Sequence, residues 1–371
     1  MIEGQGARGK GQRRTNVPLS PVPRAPSPAS PSQRALIIGP SNIGDAILTI
    51  SVIEAVHQRY PDAHLTLIIG ERATSLFTDD PRIHTLVDAD AYDSWDGRAK
   101  LAWALWRYQP HVFVDLRHTL YPFLLKPFQA WRYLKQPPRT IRHMRERHWW
   151  KLCTQVPEAA FDDGSIPATE GMWSSPRDEQ AVAALCRRWN LQAGVPLIVI
   201  CPGARSHIKR WTAEGFARVA DRLIAELGVQ VVFSGETDEE PVIEEIAIRM
   251  RQRAYSAVSL TTIRQLGVLM RRVSLVITND SASVHLASAL RIPTVAIFGP
   301  TDAAKYGPTA PRSRTVRRTL FCAPCEQALC RFNHECMRFI SADEVFNAAK
   351  TLLEEGTKRR RSSEFGVRSS E

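Results

Sequence analysis

The chain has 371 residues, 44% of them hydrophobic, and a formal charge of +11. That is long for one domain and comfortable for two, and no apolar run approaches the length needed to cross a bilayer. The basic, proline-rich N-terminus has no apolar core behind it, which argues against a secretory signal and for a cytoplasmic protein, and seven cysteines in this length are no small disulfide scaffold.

The charge is local. Residues 1–34 hold six Lys/Arg against one acid and residues 117–151 hold nine against one, so the remainder is slightly acidic. A concentrated positive stretch points to an anionic partner: a phosphorylated ligand, an acidic membrane surface or nucleic acid.

Residues 1–33, rich in Pro, Ser and Gly and lacking apolar periodicity, are expected to form a disordered arm. "ALIIG" (35–39) then predicts a strand, "PSNIGD" (40–45) a tight turn, and the pattern after it a helix over about 45–60. "HLTLIIG" (64–70) and "HVFVDL" (111–116) predict further strands. A connecting helix at about 176–191 separates a first domain, 34–172, from a second, 173–340. The second series carries strands at 195–201, 229–235, 274–278 and 293–299. Its first helix should begin at Thr212 and stop at Gly228. A last helix, 341–355, starts with a capping box from Ser341 to Glu344, and 356–371 reads as a disordered tail. Apolar runs joined by helices build parallel sheets. Two such series predict an α/β fold of two Rossmann-like halves facing a central cleft, with ligand crevices at the carboxyl ends of the strands.

Four strand-end loops of the second half concentrate polar residues. "CPGARSHIKRW" offers Arg205 and Lys209 beside a close backbone turn, which suits a diphosphate as well as a solvated basic loop. "SGETDEE" places Glu236 where ribose hydroxyls are often bound, although capping by Asp238 accounts for part of its acidity. "TNDSASVHLASAL" gathers Asp280, Ser281, Ala282 and His285 at a helix start, whose free N–H groups attract phosphate. "FGPTDAAKYGP" adds Thr301 in a fourth turn. No P-loop, G-x-G-x-x-G or H-E-x-x-H pattern is present, so an NAD enzyme is disfavoured. The first turn, "PSNIGD", carries an acid where phosphate turns avoid one.

These segments, together with "CAPCEQALCRFNHECM", occur in the order seen in glycosyltransferase family 9, the ADP-heptose:lipopolysaccharide heptosyltransferases and their relatives, and the resemblance covers about residues 34–355. Three positions depart from the common pattern: Gly39 stands for an arginine, "SNIGD" for "SSLGD", and "SG" for "GG". The resemblance implies a GT-B fold and an inverting transfer with Asp45 as general base. It implies donor contacts from Arg205, Lys209, Glu236, Asp280, Ser281, Ala282, His285 and Thr301, and acceptor contacts from Ser41, Asn42, Gly44 and Arg117. The partners implied are a nucleotide sugar, ADP-heptose above all, and an anionic glycolipid at the inner-membrane surface, with no nucleic acid and no cofactor for catalysis. A GT-B protein using another sugar or acceptor, or a non-catalytic sugar-nucleotide-binding protein, is the alternative.

Two stretches keep several readings. Residues 117–151 interleave Arg and Lys with Trp131, Tyr133, Trp149 and Trp150, which fits an anionic glycolipid at a membrane better than nucleic acid or a plain solvated loop. Cys322, Cys325, Cys330 and Cys336 could hold a structural zinc, pair as a disulfide or stay free.

Overall fold

The chain divides into an N-terminal unit, Arg8–Trp173, and a C-terminal unit, Ser174–Glu371 with Met1–Ala7. The structure is a computed structural model; it describes residues 2–3, 33–161, 165–167 and 171–367, the side chains of 2–3 and 359–367 excepted. The arm expected over 1–33 falls outside the described residues except for 33 and for β1 (Ile2–Glu3), which pairs with the C-terminal sheet.

The N-terminal unit is a four-stranded parallel sheet of β2 (Arg34–Ile38), β3 (His64–Ile69), β4 (Thr85–Asp88) and β5 (Val112–Asp115), in the order β4-β3-β2-β5. β2 is central and its Ala35, Leu36, Ile37 and Ile38 are all buried, as expected for a strand covered on both faces. On one face Leu36 and Ile38 pack with Leu101, Leu105, Phe113 and Tyr133. The chain runs outward through β3 and β4 and then returns to the other side of β2 as β5. The strand order therefore reverses between β2 and β5, and the loops after these two strands border the crevice where such sheets bind ligands.

The helix expected over 45–60 is two helices, Ile43–Ile47 and Ile50–Arg59. Thr49 makes the break. Its hydroxyl donates to the Ala46 carbonyl at 2.7 Å, and its own carbonyl accepts from Val52 and Ile53.

The C-terminal unit is a parallel sheet of β1, β6 (Leu197–Cys201), β7 (Gln230–Phe233), β8 (Ala254–Ser256), β9 (Leu275–Asn279), β10 (Thr294–Phe298) and β11 (Ser313–Arg317), in the order β1-β8-β7-β6-β9-β10-β11. Its order reverses between β6 and β9. The caps expected of the helix Ala213–Leu227 are present: Thr212 accepts from the Gly215 N–H at 3.1 Å, and Gly228 closes the helix at φ +61°. Ser341 and Glu344 form their capping box. The helix they open runs on from Ala342 to Val367 without a stop at 355, so 356–367 is helix where a disordered tail was expected. Residues 368–371 lie outside the described residues.

Candidate active site

Lys209 follows β6 and Asp280 follows β9, the two strands at the reversal. Lys209 ends a 3-10 turn, His207–Lys209, and its Nζ lies 2.7 Å from the Asp280 carboxylate. Asp280 is almost fully buried, while the lysine side chain is 33% exposed. The contact is ionic and off the angle of an aligned hydrogen bond. A buried carboxylate at a strand end is costly unless a cation accompanies it. Here the cation comes from the neighbouring strand's loop, with one side open to solvent.

The loop that carries Lys209 is tied down by Asn279, the residue before Asp280. Asn279 is fully buried; its Oδ1 accepts from the Trp211 N–H at 3.1 Å, and its Nδ2 donates to the Pro202 carbonyl at 2.6 Å. Trp211 is anchored in turn, its indole N–H donating to the Ile340 carbonyl at 3.0 Å. The "TND" and "KRW" segments are thus one hydrogen-bonded unit, and Asn279 and Trp211 position the charges beside them.

Ser281 caps the helix Ala282–Ala289 and accepts from the Ser283 N–H at 3.3 Å. His285 is buried one turn later, edge-on to Tyr306 at 6.4 Å. Thr301, after β10, is buried, and the next residue, Asp302, caps the helix Ala303–Tyr306. Arg205 is exposed in the loop after β6. Glu236 is exposed after β7 and shares a reciprocal cap with Glu239: the Glu239 carboxylate accepts from the Glu236 N–H at 2.9 Å, and the Glu236 carboxylate from the Glu239 N–H. The capping assigned to Asp238 from sequence therefore belongs to Glu236 and Glu239. Burial raises the proton affinity of Glu239, which lies hard against Gly203 and 2.9 Å from where a Cβ of Gly235 would stand. Both glycines leave room for that carboxyl.

The expected donor residues thus line the ends of four neighbouring strands, β7, β6, β9 and β10. At about 4.8 Å per strand the row spans roughly 14 Å, the footprint of an elongated ligand. Lys209 and Asp280 touch directly. Cys201, also at this edge, is buried, and burial pushes its thiol up to about 12.

At the N-terminal reversal the turn after β2 carries Ser41, Asn42, Gly44 and Asp45. Asp45 lies in the first turn of Ile43–Ile47, half-buried, with the Asn42 amide donating to its carboxylate at 3.4 Å. Gly70, after β3, presses against this turn: a Cβ there would collide with the Ser41 side chain and come within 2.7 Å of its Cα. After β5, the Asp115 carboxylate accepts from the N–H of Arg117 at 2.9 Å and of Thr119 at 2.6 Å. That leaves the Arg117 side chain exposed on a pinned backbone.

A single helix, Met144–Gln155, braces both loops from behind. Lys151 Nζ donates to the Leu116 carbonyl at 2.6 Å, Gln155 bonds both backbone groups of Asp115, and the His148 ring bonds the Leu48 backbone at the helix break. Burial pushes Lys151 down to about 8 and His148 down to about 3, the Lys151 charge adding to the latter. This corrects the reading of 117–151 as one basic, aromatic contact surface. Tyr133, Trp149, His148 and Lys151 are core, and Trp131 is exposed.

The four clustered thiols border one cavity of about 260 Å³, with Pro300 and His334. All four are free, and among the described residues no three His, Cys, Asp or Glu side chains gather as a metal set, so this geometry lends zinc no support. The segment packs behind the fourth loop: a Cβ on Gly299 would collide with Met337 and stand 3.0 Å from Cys336 Sγ. The Pro300 carbonyl accepts from the Glu326 N–H at 2.9 Å.

Known proteins share this fold. The chain is 26% identical over 313 residues to lipopolysaccharide heptosyltransferase 2 of Salmonella typhimurium, covering 76% of this chain and 88% of the relative. It is 33% identical over 171 residues to lipooligosaccharide heptosyltransferase 2 of Campylobacter jejuni, covering 44% and 53%. Among solved structures, a family 9 glycosyl transferase from Veillonella parvula superposes with a TM-score of 0.73 at 22% identity, over 87% of this chain and 98% of that one. The ADP-heptose lps heptosyltransferase II of E. coli gives 0.66 at 21%, over 88% and 100%. The two Rossmann-like parallel-sheet units are those of a GT-B fold. The profile of Glycosyltransferase family 9 (heptosyltransferase) matches residues 138–335, a little over half the chain, and the protein belongs to that family of glycosyltransferases.

Proposed function

We propose that the protein transfers heptose from ADP-heptose to a hydroxyl of a lipopolysaccharide core, with inversion at the anomeric carbon and Asp45 as general base. The Lys209–Asp280 pair at the strand reversal carries the donor half of this reading. A diphosphate entering beside Asp280 offers the lysine a second anion, and Lys209 then stabilises the charge that builds on the departing phosphate. The N–H groups of the first turn of Ala282–Ala289, with Ser281 and Thr301, add to that stabilisation. Glu236 holds the nucleoside end, Arg205 adds its charge to the diphosphate site of Lys209, and His285 backs the sugar loop.

On the acceptor side, Asp45 accepts the proton of the attacking hydroxyl as the new glycosidic bond forms and the bond to diphosphate breaks. Ser41, Asn42, Gly44 and Arg117 bind the acceptor. One carboxylate suffices for direct displacement, and no covalent enzyme intermediate is required. An anionic glycolipid explains why exposed arginine borders this crevice.

The test is a donor screen, ADP-heptose against other nucleotide sugars, read by mass spectrometry on a delipidated core acceptor. Transfer from ADP-heptose is expected, falling about 10²–10⁴-fold in Asp45→Asn with little change in donor KM. Near-normal turnover by that variant would remove Asp45 from the role. Donor binding without any transfer would favour a non-catalytic sugar-nucleotide-binding protein.

A further inference from the structure

We infer that Cys330 and Cys336 form a reversible dithiol–disulfide pair, which a small disulfide such as oxidised glutathione closes, and that closing it slackens two of the donor loops. Four free thiols border one cavity, and the transfer proposed above has no use for them. Cys330 is the best placed to react. It is half-buried between exposed Leu329 and Arg331, open to a small solute. Its Sγ accepts from the Phe332 N–H at 3.4 Å and from the His334 N–H at 3.2 Å. These donors hold the sulfur at the head of the short helix Glu335–Arg338, which carries Cys336. Burial raises the Cys336 thiol's pKa, and of the other three thiols Cys330 adds most to that rise, as the nearest should.

The two thiols divide the work. The Cys330 thiolate attacks one sulfur of glutathione disulfide, and the first glutathione leaves as its thiolate. Cys336 is buried, hidden from the solute, and resolves the mixed disulfide. Its thiolate attacks Cys330 Sγ, the Cys330–Cys336 bond forms and the second glutathione leaves. The two protons released by the protein thiols pass to the two glutathione thiolates; the protein pair is oxidised and glutathione disulfide is reduced. The bond reaches the donor loops on two sides. Cys336 Sγ stands 3.0 Å from where a Cβ of Gly299 would lie, and Gly299 leads into Pro300 and Thr301. The His334 ring lies edge-on to His207 at 5.5 Å, and His207 opens the turn that ends at Lys209. Ile208 and Pro300, one from each loop, line the same cavity. Drawing Cys330 Sγ onto Cys336 pulls it from the His334 N–H and shifts the wall that both loops share. This coupling takes the donor reading above as given; the disulfide itself does not.

Two measurements on the full chain test it. After treatment with oxidised glutathione, alkylation and peptide mapping by mass spectrometry should find one disulfide, Cys330–Cys336, that dithiothreitol reverses. ADP should bind the oxidised protein at least about fivefold more weakly than the reduced one. Cys330→Ser should bind ADP as the reduced wild type does, with or without oxidant. Should that variant melt early, the wild type with and without dithiothreitol decides alone. A mixed disulfide that persists at Cys330, a different pairing, or a resident metal that dialysis leaves on the thiols overturns the pair. A pair that forms while ADP binds both states alike overturns the coupling. If ADP binds neither state, the donor reading fails instead, and the peptide map still decides the pair.

Discussion

At the strand reversal of the C-terminal unit a carboxylate and an ammonium group meet at 2.7 Å, with the acid buried. At the corresponding reversal of the N-terminal unit, the acid Asp45 is half-buried and receives a 3.4 Å amide contact from Asn42, while the fixed charges lie behind it in the helix Met144–Gln155. Two sheets of one topology therefore use charge differently. The first presents a cation whose negative partner is built in, which suits a dianionic ligand that must bind and leave. The second presents a carboxylate on a turn that is braced from below, which suits a base that must stay put while accepting a proton.

The sharpest way to break this comparison is at Lys209. Lys209→Ala should lower turnover about 10²–10³-fold through lost stabilisation of the leaving group. It also leaves Asp280 buried without its cation, a cost of about 1–3 kcal/mol once the 33% exposure of the lysine is discounted. Adding Asp280→Asn should restore most of the stability and none of the activity. If the double variant regained turnover, the pair would be a structural bridge with no part in the chemistry. Thermal melts beside steady-state kinetics on the four proteins of the cycle separate these outcomes.

A pair of glycines sharpens the same contrast at smaller cost. A Cβ at Gly70 would meet the backbone of Ser41, which cannot yield without moving the turn that carries Asp45. A Cβ at Gly203 would meet the end of the Glu239 side chain, which can swing aside. Gly70→Ala should therefore cost about 1–3 kcal/mol and depress kcat. Gly203→Ala should cost less, with its effect confined to donor KM. Equal effects on kcat would mean that the base turn is not held by this contact.

Much of this was legible in the residues. Apolar runs announced β2, β3, β5, β6, β7, β9 and β10, and the caps at Thr212, Gly228, Ser341 and Glu344 stand where their residue types put them. β1, β4, β8 and β11 were missed, being short or polar; β11, "SRTVR", is an edge strand held to β10 by backbone pairing, which composition does not report. The strand-end loops were found because small polar residues crowd there. The Lys209–Asp280 contact was not, because residues 71 positions apart meet only through the strand order. Nor was the role of His148 and Lys151. A basic, aromatic stretch looks like surface until the fold shows which face of each helix points inward.

That buried face has a consequence for pH. The His148 ring is enclosed, with Lys151, Arg147 and His143 adding positive charge, and its pKa falls to about 3 from an ordinary 6.5. Above pH 6.5 the ring is neutral folded or unfolded, and contributes no pH dependence. As pH drops below 6.5 the unfolded chain takes up a proton that the folded chain refuses, so the N-terminal unit loses stability steadily until about pH 3. Lys151 slopes the same way higher up: with its pKa lowered to about 8 from 10.5, the folded state gains stability as pH rises between those values. His148→Gln keeps a donor for the Leu48 backbone and removes the titration. Denaturant melts from pH 4 to 7 should show the wild type losing stability toward acid and the variant nearly flat over the part of that slope due to His148. A variant as acid-sensitive as the wild type would mean that the ring is charged in the folded protein, and that the brace behind Asp45 is an ionic one.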